Sequence, residues 1–386
     1  MIRSTFRLAV GAAAIALLPG LAHAQDKLRV GLMLPYSGTY AQLGEAIENG
    51  FRLFVEENGG KLGGREFEYF KLDDESSPPK AADNMNRLVK RDNVDVVVGT
   101  VHSGVAMGMA KIAKQTGTLM INPNAGADAV TGPMCAKNIF RSSFSNWQPG
   151  YATGEALAKT GLENVVTITW KYAAGAESVG GFTEAFEKGG GKVVKNLTVP
   201  FPNVEFQALL TEIASLKPDA VYTFFAGGGA VKFVRDYKAA GLDSIPLYGA
   251  GFLTEGTTKA QGEAAEGVIT AMHYADNLDN EKDKAFRLAY AKSYKLQPDV
   301  YAVQGYDAAQ ILATGLAATN GDAKQIDAFR EAVLAAKFDS PRGSFTMSES
   351  HNPMQDFYLR KVTDGENAVV GMASEALADP GRGCNM

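Results

Sequence analysis

Apolar and polar residues alternate along the chain in a way that predicts strands and helices in turn. Residues 94–98 are mostly apolar and β-branched, which is typical of a strand buried on both faces. A turn of small polar residues follows at 99–104, and a helical spacing of apolar residues comes next. A second strand at 118–121 runs into the small-residue loop 122–127. Each strand therefore delivers a loop of small residues at its carboxyl end, where open α/β sheets bind ligands.

The same alternation predicts elements on both sides of this stretch. The predicted strands are 28–34, 67–72, 165–170, 193–199, 220–225 and 247–249, with a final pair at 343–347 and 357–362 around a polar loop. The predicted helices are 46–58, 79–90, 149–160, 179–188, 206–216, 230–240, 283–294, 301–317 and 325–336. Repeated βα units predict an α/β fold with mainly parallel sheets, and two successive series of similar length predict two lobes.

The composition and the N-terminal segment limit the functions that this protein can have. The chain has 386 residues, 46% hydrophobic and 21% charged, and its net charge of −5 is spread without a basic patch, so no nucleic acid is expected as a partner. Residues 1–24 carry two arginines, an apolar run and an A-x-A site, which predicts a cleaved secretory signal peptide and a periplasmic location. The apolar run is too short for a membrane anchor. The mature protein is expected to begin at Gln25 without a lipid-bearing cysteine.

Export places the two cysteines, Cys135 and Cys384, in an oxidising compartment. One intramolecular disulfide is the expectation, and two free thiols are the alternative.

The first candidate for chemistry is Ser103, which stands where the helix after the first strand begins. Its hydroxyl and the neighbouring amides could bind an anion with the help of the helix dipole. The alternative is that Ser103 only caps the helix, which is worth about 1 kcal/mol.

Other motifs are weaker. Residues 227–229, a run of glycines, could bind an anion or simply form a tight turn, and Asp73-Asp74 is more typical of a strand end than of catalysis. His102 is expected either as a polar contact at the edge of a cleft or simply as an exposed side chain. The histidines and cysteines lack metal-ligand spacing, and no nucleophile elbow, P-loop or dinucleotide fingerprint is present, so no enzyme, cofactor or metal is predicted.

Several blocks of the sequence resemble a known family. LRVGLMLPYSGTYAQLGEAIENGFRLFVEENGG, FKLDDESSPPKAADNMNRLV, VVVGTVHSGVAMGMAKIA and LMINPNAGADAVT resemble the first lobe of periplasmic solute-binding proteins of the branched-chain amino-acid type. WKYAAGAESVGGF, the block from 201 to 242 and AAEGVITAMHY resemble the second lobe. The resemblance extends from about residue 28 to residue 362.

This resemblance implies a type I periplasmic-binding fold, with two doubly wound parallel-sheet lobes and a three-segment hinge near Phe144, His273 and Ser348. Lobe 1 is expected at 25–144 plus 274–347, lobe 2 at 145–273 plus 348–375, and a C-terminal tail at 376–386. The implied protein is a monomer that closes on a small solute and delivers it to the permease of an ABC importer. A periplasmic sensor using the same closure is a further alternative.

Only some of the family's binding residues have counterparts in this sequence. The resemblance assigns Ser103 to a ligand carboxylate and places Asn124, Ala125 and Gly126 beside it, with Gly126 where amino-acid binders have Thr. The second lobe lacks the acid that would pair with an ammonium, both at 170–175 and at 249–252. Burying an ammonium without a carboxylate would cost several kcal/mol.

Aromatic residues are predicted to replace that acid. The expected ligand is therefore an aromatic acid, such as a benzoate or phenylpropanoid derivative, because rings stack favourably on rings. An aliphatic amino acid is the alternative, with Glu177 or Glu255 then reaching the ammonium. The predicted site consists of Tyr40, His102, Ser103, Asn124, Ala125, Gly126, Trp170, Tyr172, Phe225, Gly251, Phe252 and Tyr301.

Overall fold

The computed structural model describes residues 1–2, 27–276 and 278–386. The predicted signal peptide therefore lies almost entirely outside the described residues. Within the described part, no helix is both long enough and apolar enough to cross a membrane.

The first sheet has six strands in the order β2-β3-β1-β4-β5-β6. All its pairings are parallel except β2 with β3. Its central strands β1, β4 and β5 are buried apolar runs, as parallel strands covered on both faces require. The six strands are β1 (Leu28–Leu34), β2 (Lys61–Leu62), β3 (Arg65–Asp73), β4 (Val96–Val98), β5 (Leu119–Asn122) and β6 (Ile139–Arg141).

The second sheet has nine strands in the order β12-β13-β14-β11-β10-β9-β7-β8, with β15 paired to β14. Strands β7 to β11 pair in parallel with one another, whereas β12 to β15 are antiparallel. The strands are β7 (Asn164–Lys171), β8 (Lys192–Pro200), β9 (Ala220–Phe224), β10 (Leu247–Ala250), β11 (Ile269–Met272), β12 (Lys337–Phe338), β13 (Phe345–Met347), β14 (Pro353–Thr363) and β15 (Glu366–Leu377).

Helices connect the parallel strands and cover the sheets. They are α1 (Ala41–Glu57), α2 (Ala81–Asn86), α3 (Ser103–Thr116), α4 (Asp128–Thr131), α5 (Trp147–Ala158), α6 (Ala173–Lys188), α7 (Gln207–Leu216), α8 (Gly227–Ala239), α9 (Thr258–Gln261), α10 (Glu281–Tyr294), α11 (Val300–Ala318) and α12 (Ile326–Ala335). The two sheets with their helices form two lobes, so the predicted α/β fold is confirmed. Lobe 1 carries the first sheet and lobe 2 the second.

Some element bounds differ from the prediction. Helix α6 begins at Ala173, six residues before the predicted start at 179. Its first six residues are Ala, Gly, Glu and Ser, which lack the helical spacing of large apolar side chains. Strand β15 follows a two-residue turn after β14 and was not predicted, although it is the longest strand of its sheet. Its exposed and buried residues do not alternate regularly, so the strand period is weak.

The late helices return to lobe 1, because α11 packs closely along α1. Gly50 and Gly305 permit this approach, since a Cβ on either would lie about 2 Å from a carbonyl oxygen of the other helix. The Tyr306 hydroxyl donates to Glu57 across the same contact, at 2.7 Å. Strands β12 and β13 fall in the range predicted for lobe 1 but belong to the second sheet, where β13 pairs with β14 and β12 pairs with β13. The exact bounds of the lobes stay a prediction.

Cys135 and Cys384 form a disulfide, with their Cα atoms 5.6 Å apart. The predicted pairing is confirmed. It holds the C-terminal residues against the segment that follows α4.

Candidate ligand-binding site

A small cavity lies between the lobes, at the carboxyl ends of β4 and β5. The space between its lining atoms amounts to about 270 Å³, part of which is open to solvent. The lining residues are Tyr40, Leu43, Val101, Ser103, Asn124, Gly126, Phe144, Asn146, Tyr172, Ala174, Phe224, Ala226, Phe252 and Tyr301. Within the described residues, no acidic or basic side chain lines it.

Ser103 is the first residue of α3 and is almost fully buried. The cap of this helix is His102, whose Nδ1 accepts the Gly104 N–H at 3.0 Å. The alternative role of Ser103 as the helix cap is therefore wrong. Ser103 Oγ accepts a hydrogen bond from Asn146 Nδ2 at 3.1 Å, which leaves its hydroxyl hydrogen available to a ligand. The nearby first-turn N–H groups have no partner within the helix.

Asp74 holds in place the turn that precedes Ser103. This fully buried carboxylate accepts hydrogen bonds from the Thr100 hydroxyl and, at 2.8 Å, from the Ser76 N–H. Burial raises the pKa of Asp74 to about 6. Asp74 thus fixes the loop that presents Ser103.

Gly126 is required where it stands. A Cβ at this position would lie 2.3 Å from Asn146 Oδ1 and 2.6 Å from Phe144 Cε2. The space that a Thr side chain would need is therefore filled by two residues of the segment after β6. The Gly126 carbonyl accepts hydrogen bonds from the Asn146 N–H at 2.7 Å and from Arg141 at 2.9 Å.

Asn124 lies beside Gly126 and its Nδ2 donates to Gln304 Oε1 at 2.7 Å. Ala125, between them, is buried outside the lining, and its N–H donates to the Thr100 carbonyl at 2.9 Å. The loop after β5 is thus fixed at both ends, to α11 and to the turn before Ser103.

Rings form most of the remaining wall. Phe252 packs against Phe144, Phe224 and Tyr301, with ring centroids 4.7, 5.8 and 6.1 Å away. The Tyr301 hydroxyl is buried and has no hydrogen-bond partner among the described residues. Burial raises the pKa of Tyr301, so the phenol stays neutral.

Aromatic contacts also join the lobes across the cleft, so the structure is of a closed form. The hydroxyls of Tyr40 and Tyr172 lie 3.0 Å apart. His102 stacks on Tyr172 with a centroid distance of 4.9 Å and contacts Phe201 at the same distance. Burial lowers the pKa of His102 to about 4, so this ring is uncharged at neutral pH.

Four further predicted site residues lie outside the lining. His102 lies behind Tyr172. Trp170 is fully buried and its Nε1 donates to the Asn203 carbonyl at 2.9 Å. Phe225 packs into the lobe 2 core against Trp170 and Phe206. Gly251 faces Met272 and Arg360, which a Cβ there would approach to within about 2.7 Å.

The two acids considered for an ammonium are also not part of the lining. Glu255 is fully buried and forms an ion pair with Arg360 at 2.6 Å. Glu177 accepts hydrogen bonds from Asn146 Nδ2 at 2.7 Å and from the Asp128 N–H at 3.1 Å. Gly229 of the glycine run packs against Trp170, since a Cβ there would lie 2.2 Å from the indole. The glycine run therefore forms a tight turn, and its residues are not among those that line the cavity.

Sequence reasoning missed several lining residues, of which Phe144 and Asn146 matter most. Both follow β6 at its carboxyl end, the same position that identified the loop after β5. The rule for strand ends would have found them, but β6 has only three residues and was not predicted. Leu43, Val101, Ala174 and Ala226 carry no distinctive chemistry.

Comparison with known proteins assigns the family. A family model described as periplasmic binding protein matches residues 27–367. The chain belongs to the periplasmic binding protein family. A periplasmic location and a role in binding solutes are what this family implies, and the predicted family and fold are confirmed.

Solved and curated relatives of this periplasmic binding protein cover most of its length. An ABC transporter solute-binding protein from R. palustris, solved with benzoate, is 54% identical, with a TM-score of 0.91 over 93% of this chain and 100% of that one. A second, from Rhodopseudomonas palustris BisB5 with 3,4-dihydroxybenzoic acid, is 31% identical, with a TM-score of 0.87 over 92% and 99%. The Leu/Ile/Val-binding protein homolog 6 of Brucella melitensis is 28% identical over 374 residues, 94% of each chain.

Proposed function

We propose that this protein captures a benzoate-type aromatic carboxylate in the periplasm and delivers it to the permease of an ABC importer. The observation that carries the proposal is the neutral, ring-lined cavity with a free hydroxyl donor at Ser103. A carboxylate can be bound there by neutral donors, whereas an ammonium would be buried without a counter-charge. The benzoate complex of the relative with 54% identity supports the same ligand class.

The proposed mechanism of capture is closure of the two lobes around the ligand. The carboxylate would contact Ser103 and the turns around Asn124 and Gly126, while Tyr172, Phe252 and Tyr301 enclose the ring. A ligand that touches both lobes binds the closed form better than the open form and shifts the population between them. The unpartnered Tyr301 hydroxyl would donate to an oxygen of the ligand. We further propose that residues 1–24 are a cleaved signal peptide and that the mature protein is a monomer.

Because curated relatives are named for the binding of Leu, Ile and Val, an aliphatic amino acid is the second candidate ligand. Calorimetry of the mature protein with benzoate, 4-hydroxybenzoate, cyclohexanecarboxylate and leucine separates the two. We expect aromatic acids to bind and leucine not to bind. Tight leucine binding without any for the aromatic acids would overturn the ligand class and leave the transport role standing.

A further inference from the structure

A carboxylate of lobe 2 is linked through Asn146 to Ser103, the lobe 1 residue that is proposed to bind the ligand. Glu177 lies on α6, and its Oε2 accepts from Asn146 Nδ2 at 2.7 Å. The same Asn146 Nδ2 donates to Ser103 Oγ at 3.1 Å. Glu177 Oε2 also accepts from the N–H of Asp128, which begins α4 in lobe 1, at 3.1 Å. One lobe 2 oxygen is therefore bonded both to the cleft and to the opposite lobe.

The direction of these bonds determines which way Ser103 can donate. An ionised carboxylate only accepts hydrogen bonds, so the Asn146 amide must turn its Nδ2 toward Glu177. That orientation makes Ser103 Oγ an acceptor and leaves its hydroxyl hydrogen for the ligand. Without Glu177 the amide is free to reverse, and Oδ1 would then take the Ser103 proton.

We propose that Glu177 is a positioning residue that, on closure, orients Asn146 and thereby aims the Ser103 hydroxyl at the ligand carboxylate. This inference rests on the proposed function of the cleft. The movement of lobe 2 is thereby coupled to the direction in which Ser103 of lobe 1 donates its hydrogen bond. A lobe 2 acid thus assists the binding of an anion without touching it.

The position of Glu177 also makes closure sensitive to protons. Burial and the negative charge of Glu177 raise the pKa of Asp128 to about 7, and burial raises the pKa of Glu177. Among the described residues, Arg141 also faces this pair and favours the ionised forms, whereas Asp379 opposes them. Arg382 lines the same groove as Asp128 and Asp379. Tyr172 faces Glu177 as a neutral phenol, because burial raises its pKa.

The sign of the pH effect follows from the separation of the lobes. Opening removes Glu177 from Asp128, so both pKa values fall toward their ordinary range. The closed form then binds more protons than the open form. A proton held by Asp128 leaves Glu177 ionised as the acceptor, so ligand affinity is greatest in acid. Affinity should decrease as the pH rises to about 7 and level off above it.

The test is calorimetry with benzoate between about pH 5 and pH 8.5. Glu177→Ala removes both acceptor bonds and should weaken binding about ten- to a hundredfold. Glu177→Gln retains an oxygen for the fixed Asp128 N–H, so affinity should stay within about threefold while the pH dependence flattens. The control is Glu187→Gln, an exposed acid near the end of the same helix, which should behave as wild type.

The outcomes separate the two proposals. If wild type fails to bind benzoate at any pH, the proposed function and this inference both fall. If wild type binds and Glu177→Ala binds equally well, only the positioning role is overturned. A Glu177→Gln variant as weak as Glu177→Ala would also overturn it, because charge rather than orientation would then be responsible. Circular dichroism of each variant confirms that the comparison is between folded proteins.

Discussion

The two lobes meet the cavity with different chemistry. Lobe 1 contributes turns of small residues around Ser103, Asn124 and Gly126, each fixed by hydrogen bonds to its own lobe or to the hinge. Lobe 2 contributes mainly rings, chiefly Tyr172 and Phe252, and the rings of Tyr40, Phe144 and Tyr301 from lobe 1 complete the aromatic wall. Hydrogen-bond donors can hold an anion, but rings alone hold only apolar surface. A ligand with a carboxylate at one end and a ring at the other is therefore the kind that requires both lobes to close.

Breaking the aromatic face should have the largest effect. Phe252→Ala should lower the free energy of unfolding by about 4 kcal/mol and weaken benzoate binding, because a buried ring with three ring neighbours leaves a cavity behind. Urea unfolding and calorimetry measure the two losses. The control is Val194→Ala, which is 40% exposed in the same lobe and should cost less than about 0.5 kcal/mol. A loss below about 1 kcal/mol for Phe252→Ala would contradict the packed wall.

Crowding the polar face should have the next largest effect. Gly126→Ala should weaken benzoate binding by about 3 kcal/mol, because the new Cβ would displace Asn146 and Phe144. Calorimetry with benzoate measures the change. Gly180→Ala is the matched control, since a Cβ on this α6 residue meets no atom within 4 Å. Unchanged affinity in Gly126→Ala would show that the loop after β5 can move away from the segment after β6.

The polar face and the aromatic face also differ in how far they could be predicted from the sequence. The fold, the two lobes and the polar face followed from buried strands ending in small-residue loops, because backbone position alone brings Ser103, Asn124 and Gly126 together. The aromatic face was harder to predict. Phe224 and Phe225 are neighbours in one apolar stretch, and only Phe224 lines the cavity.

The reason is the direction of side chains. Successive residues of a strand point to opposite faces, so a shift of one position moves the predicted ring from the cavity to the core. His102 and Ser103 are also sequence neighbours with different positions, since His102 caps α3 and Ser103 lines the cleft. The contacts that Glu177 makes with Asn146 and Asp128 could not be predicted from sequence, because they join segments that are distant in the chain.

Removing the anchor should have the smallest of the three effects. Ser103→Ala should weaken benzoate binding by about 2 kcal/mol, because the carboxylate loses one donor but keeps the backbone amides. The free energy of unfolding should change little, since His102 rather than Ser103 caps α3. Calorimetry and urea unfolding separate the two quantities, with Ser215→Ala on the exposed end of α7 as the control. Stability loss without loss of affinity would return Ser103 to a structural role and shift the carboxylate site toward Asn124.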